Sequence, residues 1–134
     1  MSETWKKIPT LDYEISDHGR IRNRDGHILS TWNGKSRDGK PYRRIYLEKE
    51  RTVIRDIKGQ VVKTKRNRVR LSAHCLVVAV FVLDRLRIPK GYEVHHIDGD
   101  RQNNRLDNLE LLTIEEHAKR HAKEYAESHL SESY

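Results

Sequence analysis

The chain is poor in the residues that staple a fold or span a membrane. One cysteine, Cys75, stands among 134 residues, which excludes an intrachain disulfide and a cysteine-based zinc knuckle. A reducing cytosol is compatible with that usage. Cys75 lies inside an apolar run and reads as a small core residue. No apolar run approaches the ~20 residues needed to cross a bilayer. The first ten residues, MSETWKKIPT, lack the apolar stretch of a signal peptide, so no membrane partner is expected. Hydrophobic residues make up only 35% of the chain and charged residues another 35%. That balance implies a modest core under a highly charged surface, in one compact domain or two small modules sharing a core.

Positive charge is what the chain has in excess. Lysine and arginine number 27 against 20 acidic residues, a net charge of +7, and the pI is about 9.6. Such a balance points to an anionic partner, nucleic acid foremost. The cations concentrate in the middle, where Lys63, Lys65, Arg66, Arg68 and Arg70 fall within eight residues. Alternation places Arg66, Arg68 and Arg70 on one face of an extended chain, where they could track a DNA backbone. A solvated edge strand guarded by charge is the plainer alternative.

Residues 1–34 read as short strands and turns: Tyr13-Glu14-Ile15, Arg20-Ile21-Arg22, and an Asp25-Gly26 hairpin leading to His27-Ile28-Leu29. Tyr42 to Leu47 alternates like a half-exposed strand. Val53–Ile57 and Val61–Lys65 flank a bend at Lys58-Gly59-Gln60. The apolar segment from Ala73 to Leu83 is long enough for a buried helix, with Ser72 as N-cap and His74 as a structural residue near its start.

Four of the eight histidines lie between His95 and His121. Glu93 to Gly99 reads as a strand ending in an Asp-Gly bend, Asn103 to Asn108 as a polar loop, and Leu109 to Leu112 as the returning strand. Thr113-Ile114-Glu115-Glu116 is a capping box that opens a helix to about Ser128. On that helix His117 and His121 are about 40° apart, a spacing at which two imidazoles can meet one ion. Ile114, Ala118, Ala122 and Tyr125 fall beside them, which suggests that the histidines border an inward stripe. Asp98, Asp100, Asn103, Asn104 and Asp107 read as turn formers that stabilise the loop.

The pair His95-His96, the run Asp98-Gly99 to Asn103-Asn104 to Asn108-Leu109, and His117 resemble the HNH nucleases. The steps His96 to Asn108 (twelve residues) and Asn108 to His117 (nine residues) are those of the homing-endonuclease branch. Trp5, Tyr13-Glu14-Ile15-Ser16 and Gly19-Arg20-Ile21-Arg22 are similar to the short module that precedes HNH sites in phage and intron-encoded nucleases. The resemblance implies an α+β fold, with a ββα-metal motif preceded by a small β-rich N-terminal region and a buried helix. Its expected units are an N-terminal β module over 1–34 that contacts DNA, and an HNH region over 35–134.

By the same resemblance His96 is the general base, Asn108 orients it and ties the loop, His95 and His117 hold metal, and His121 assists with metal or phosphate. Arg101 and Arg105 add cationic charge toward DNA. One divalent ion is expected, magnesium or manganese, with zinc, nickel or cobalt as alternatives. A histidine at position 95, where relatives often carry aspartate, favours the softer ions on affinity. The implied function is a metal-dependent DNA endonuclease of nicking or homing type, phage- or intron-associated. It would act on double-stranded DNA as a monomer or homodimer, in the cytoplasm of a bacterial or phage-infected cell. The alternatives are a low-specificity phage nuclease and a non-cleaving, metal-stabilised DNA-binding module.

Overall fold

The computed structural model describes residues 2–36 and 38–129; the side chains of His121 and of residues 124–129 lie outside the described residues. Strands β1 (Trp5–Lys7), β2 (Tyr13–Ser16) and β3 (Ile21–Asn23) form one antiparallel sheet in that order. A second antiparallel sheet holds β4 (Trp32–Lys35), β5 (Pro41–Arg55) and β6 (Val61–Ser72). Helix α1 (Ala73–Leu83) comes directly after β6. A third pair, β7 (Tyr92–His96) and β8 (Leu109–Thr113), leads into α2 (Ile114–His129). The architecture is α+β, and its last three elements have the expected strand, loop, strand, helix order.

One cluster of apolar side chains joins all three sheets to α1. Ile15 and Ile21 come from the first sheet, Ile8 from just after β1, and Ile45, Leu47, Val69 and Leu71 from the base of the second sheet. Leu76, Val77, Val78 and Val80 come from α1 and Leu109 from β8. Residues 1–34 thus share their core with the rest of the chain. Period-two alternation decides which face of β5 and β6 enters this core: Ile45 opposes Leu71 and Leu47 opposes Val69, while Tyr46 and Arg70 point the other way. Helix α1 is apolar nearly all round because it is buried nearly all round. Ser72 occupies its N-cap without a side-chain capping bond, and Asp84 ends it in the left-handed region at φ 53°.

Several elements differ from expectation. The Asp25-Gly26 turn forms, but the chain beyond it makes a single bridge, Arg22 to Ile28, and not a strand. The two expected strands around residues 42–57 are one fifteen-residue strand, β5, with an irregularity between Lys49 and Thr52. The sequence shows a break there because the chain leaves the core. From Lys49 to Arg66 nearly every residue is exposed, so the hairpin projects as a two-stranded arm. The apolar stripe expected on α2 is also not an inward one: Ile114 is 55% exposed, and Ala118 and Ala122 are exposed. Polar contacts hold this helix instead. Thr113 Oγ1 accepts the Glu116 amide at 3.0 Å, and Arg120 donates to Glu110 at 2.7 Å.

Leu47 is 0% exposed at the base of the arm, whereas Ile54 is 44% exposed near its tip. Leu47→Ala is expected to cost about 2–5 kcal/mol in urea unfolding, and Ile54→Ala to stay within about 0.5 kcal/mol.

Candidate active site

The pleat of β7 sends its last two residues opposite ways. His95 faces α2, where its ring lies 5.3 Å from that of His117. His96 faces α1 and the loop that joins β7 to β8, and its ring lies 4.9 Å from that of His74. Both are buried, each 8% exposed. His96 Nε2–H donates to Asn104 Oδ1 at 2.8 Å. A carboxamide oxygen only accepts, so this bond places the proton on Nε2 and leaves the lone pair on Nδ1.

The loop that carries Asn104 is closed by its own side chains. Asn108 donates to Asp98 Oδ1 at 2.9 Å and to the Asn103 carbonyl at 3.0 Å, and it accepts the Asp98 amide at 3.1 Å. Asn103 donates to Asp98 Oδ2 at 2.9 Å. The Asn103 bond, the Asp100 amide and the Asn108 bond hold the Asp98 carboxyl below its usual pKa. Asn108 therefore ties the loop from within. The residue on the His96 ring is Asn104, which the sequence suggested only as a turn former. The Asn-Asn pair signals a structured loop, but spacing alone does not say which asparagine reaches the ring.

Asn104 is itself wedged. Gly19, in the turn between β2 and β3, has φ +86°, and a Cβ there would stand 2.9 Å from Asn104 Cβ. The Leu106 amide donates to the Asp17 carbonyl in that turn at 2.8 Å. The N-terminal sheet thus supports the loop that orients His96. On the other side Arg101 makes a bidentate pair with Asp38, at 2.9 and 2.5 Å, and donates to Ser36 at 2.8 Å. These bonds tie the loop to the turn after β4 and hold the Asp38 carboxyl well below its ordinary range.

His95 and His117 bring two imidazoles together across the strand–helix junction. His117 Nδ1 is hydrogen-bonded to Glu93 Oε2. A carboxylate on one ring nitrogen is the usual partner of a metal-bound histidine, so the donor set of His95 and His117 fits a divalent ion. Among the described residues no cluster of three His, Cys, Asp or Glu converges on one point. The expected contribution of His121 lies outside the described residues.

Both histidine pairs open on one cleft of about 790 Å³, lined also by Lys35, Lys40, Tyr42, Arg44, His74 and Arg101. Arg44 lies over the Tyr42 ring at 4.6 Å and passes close over β4 at Gly34, where a Cβ would stand 2.6 Å from Arg44 Cδ. Arg44 shares the outer face of the second sheet with Tyr46, Arg68 and Arg70, so the cationic face runs into the cleft. Arg66 is on that face and paired with Glu48, Arg68 lies over Tyr46 at 4.9 Å, and Arg70 is exposed. Arg105 is exposed and 3.7 Å from Asp107. Cys75 borders the cleft, but burial pushes its thiol up to about 11, so it carries no thiolate at neutral pH.

Two outcomes are expected. In ¹⁵N NMR at neutral pH, His96 shows the Nε2–H tautomer, and Asn104→Leu erases that preference. Burial, reinforced by His96 and Arg101, lowers the His74 pKa from 6.5 to about 4. Between those values the unfolded chain binds a proton that the folded chain refuses. Stability is therefore complete above about pH 6.5 and is lost as pH falls toward about 4. Urea midpoints should fall more steeply across this window for the wild type than for His74→Leu.

A family model described as HNH endonuclease matches residues 86–119, and the model of the NUMOD4 motif matches residues 3–95. An uncharacterized HNH endonuclease of Acanthamoeba polyphaga mimivirus is 34% identical over 120 residues, covering 86% of this chain and 25% of that protein. The SPbeta prophage-derived putative HNH homing endonuclease YosQ of Bacillus subtilis is 49% identical over 43 residues, 32% of this chain and 23% of that protein. The chain thus spans about a quarter of the length of these curated relatives. In fold it is similar to the HNH homing endonuclease I-HmuI, solved in a study of DNA binding and cleavage. The TM-score is 0.53 at 23% identity, over 97% of this chain and 59% of that one. The chain belongs to the HNH endonuclease family, with a NUMOD4 motif running into its HNH segment.

Proposed function

We propose that this chain is a metal-dependent endonuclease that hydrolyses phosphodiester bonds of double-stranded DNA, one strand per site, as a nicking or homing-type enzyme. The observation that carries this reading is the buried His96 with its Nε2–H committed to Asn104. His96 lines a cleft that also holds the His95 and His117 pair and a cationic rim.

Hydrolysis of a phosphodiester needs an activated water and relief of the charge that builds on phosphorus and on the leaving oxygen. His96 Nδ1 accepts the proton of the attacking water, and the Asn104 oxygen keeps the ring oriented before and after that transfer. His95 and His117 would hold the ion, with Glu93 orienting His117. A divalent ion there supplies Lewis-acid stabilisation of the phosphate charge. Two imidazole donors favour manganese, zinc, nickel or cobalt over magnesium on affinity. His121 is a proposed assistant to the same phosphate. Asn108 serves by fixing the loop.

Grip on the duplex comes from the outer face of the second sheet, through Arg66, Arg68 and Arg70. The two-stranded arm extends that face beyond the core. Arg105 adds charge at the loop, and Arg101 does so from its pair with Asp38. Residues 1–34 act as the module that positions the loop and flanks the DNA. No helix among the described residues is long and apolar enough to cross a membrane, and the proposed place of action is the cytoplasm of a bacterial or phage-infected cell.

The test is a supercoiled-plasmid assay with Mg²⁺, Mn²⁺, Ni²⁺ or Zn²⁺, run beside His96→Ala. Open circles from the wild type alone are the expected result, with a chelator abolishing them. A direct linear product would mean paired sites in a dimer. DNA binding without cleavage under any ion would sink the enzyme reading. Arg70→Ala should lower the slope of log K against log salt by about 1.

A further inference from the structure

The cleft holds one histidine that the chemistry above does not use. His74, the second residue of α1, lines it beside His95, His96 and Arg101. Its ring packs 4.9 Å from that of His96 at 45°, and it meets Tyr42 edge-on at 5.9 Å. Its Nδ1 is buried and makes no hydrogen bond among the described residues. Burying a nitrogen without a partner is unfavourable, and a phenyl ring of similar shape would fill the same space without that cost. Packing alone therefore does not account for an imidazole at this position.

The proton belongs on Nε2, because an orphaned buried donor is a rarer state than an orphaned buried acceptor. With Nδ1 sealed from solvent, Nε2 is the nitrogen through which this ring can meet a ligand. The surroundings define that ligand. Lys35, Lys40, Arg44 and Arg101 give the cleft a cationic lining, which selects an anion, and His96 next door needs a phosphorus centre within reach of the water it activates.

We infer that His74 is a further substrate-contacting residue, its Nε2–H donating to a non-bridging oxygen of the DNA phosphate held beside His96. This rests on the DNA-cleaving reading of the same cleft. Burial keeps the ring neutral to about pH 4, so the contact is a hydrogen bond without a charge. That matters at this distance: a lysine or arginine in its place would oppose the positive charge that His96 acquires when it takes a proton from water. Tyr42 on one side and the buried turn of α1 on the other fix the ring. The strengthening phosphate charge thus meets a preset donor that leaves the base its affinity for a proton.

The experiment compares wild type, His74→Phe and His74→Gln. It measures single-turnover nicking of a duplex by excess protein, equilibrium binding of that duplex without divalent ion, and thermal melting. The inference expects His74→Phe to melt like wild type and bind the duplex within about threefold, yet nick about 10–100-fold more slowly, as for one lost bond to a charged oxygen. His74→Gln, which restores an N–H donor, should recover part of the rate. Nicking by His74→Phe at the wild-type rate overturns the inference and leaves the nuclease reading intact. Equal slowing of both variants with lowered melting temperatures also overturns it, since the ring would then act only as packing. A wild type that neither binds nor nicks the duplex removes both readings together.

Discussion

The hydrogen bond from His96 to Asn104 is the constraint on which the rest of this structure depends. An imidazole presents one bare, aimed nitrogen only when the other is held, and the partner of that other nitrogen decides which. Here that partner sits on a loop with little apolar burial of its own, so its position must be imposed. Asn108 and Asp98 close the loop from within, the Gly19 turn presses on Asn104 from the N-terminal sheet, and the Arg101 pair with Asp38 holds the opposite flank. Two turns distant in sequence thus brace the loop that carries Asn104. The shared core beneath them keeps those stretches in register.

Charge is arranged to serve the same point. The inner face of the second sheet is spent on the core, so its cations collect on the outer face, which meets the cleft through Arg44. The aromatic rings on that face, Trp32 stacked on Tyr46 at 4.9 Å with Arg68 over Tyr46, hold neighbouring side chains upright across the strands. The projecting arm has no core to bury and is stable only because its base is. Such an element suits gripping an extended anion and contributes little to folding.

Much of this was legible in the sequence, and the misses have definite causes. The length of the apolar run from Ala73 to Leu83 announced α1, and Thr113 announced α2 through a capping pattern that needs only local chain. The β7–loop–β8–α2 order came from turn residues between apolar segments. Expectation failed where distant chain decides the outcome. The long β5 reads as two strands because its outer half lacks a buried face, and the α2 stripe reads as inward although polar contacts hold that helix. Spacing does not single out Asn104, because its partner is set by how the loop closes, nor does it show that Arg101 pairs with Asp38 across the cleft rim.

The sequence by itself determined the chemistry available: a pair of histidines at a strand end, a third on a helix, a polar loop between them and a surplus of cations. Local rules of period, turn and cap were enough to place these on their elements. Only the tertiary structure decided which nitrogen of His96 is bare, that Asn104 and not Asn108 meets the ring, that Glu93 turns His117, and that His74 comes to lie against His96. Those outcomes depend on distances between residues far apart in the chain. A hydrogen bond forms over a few tenths of an ångström, a precision that packing of the whole core supplies and spacing along the sequence does not.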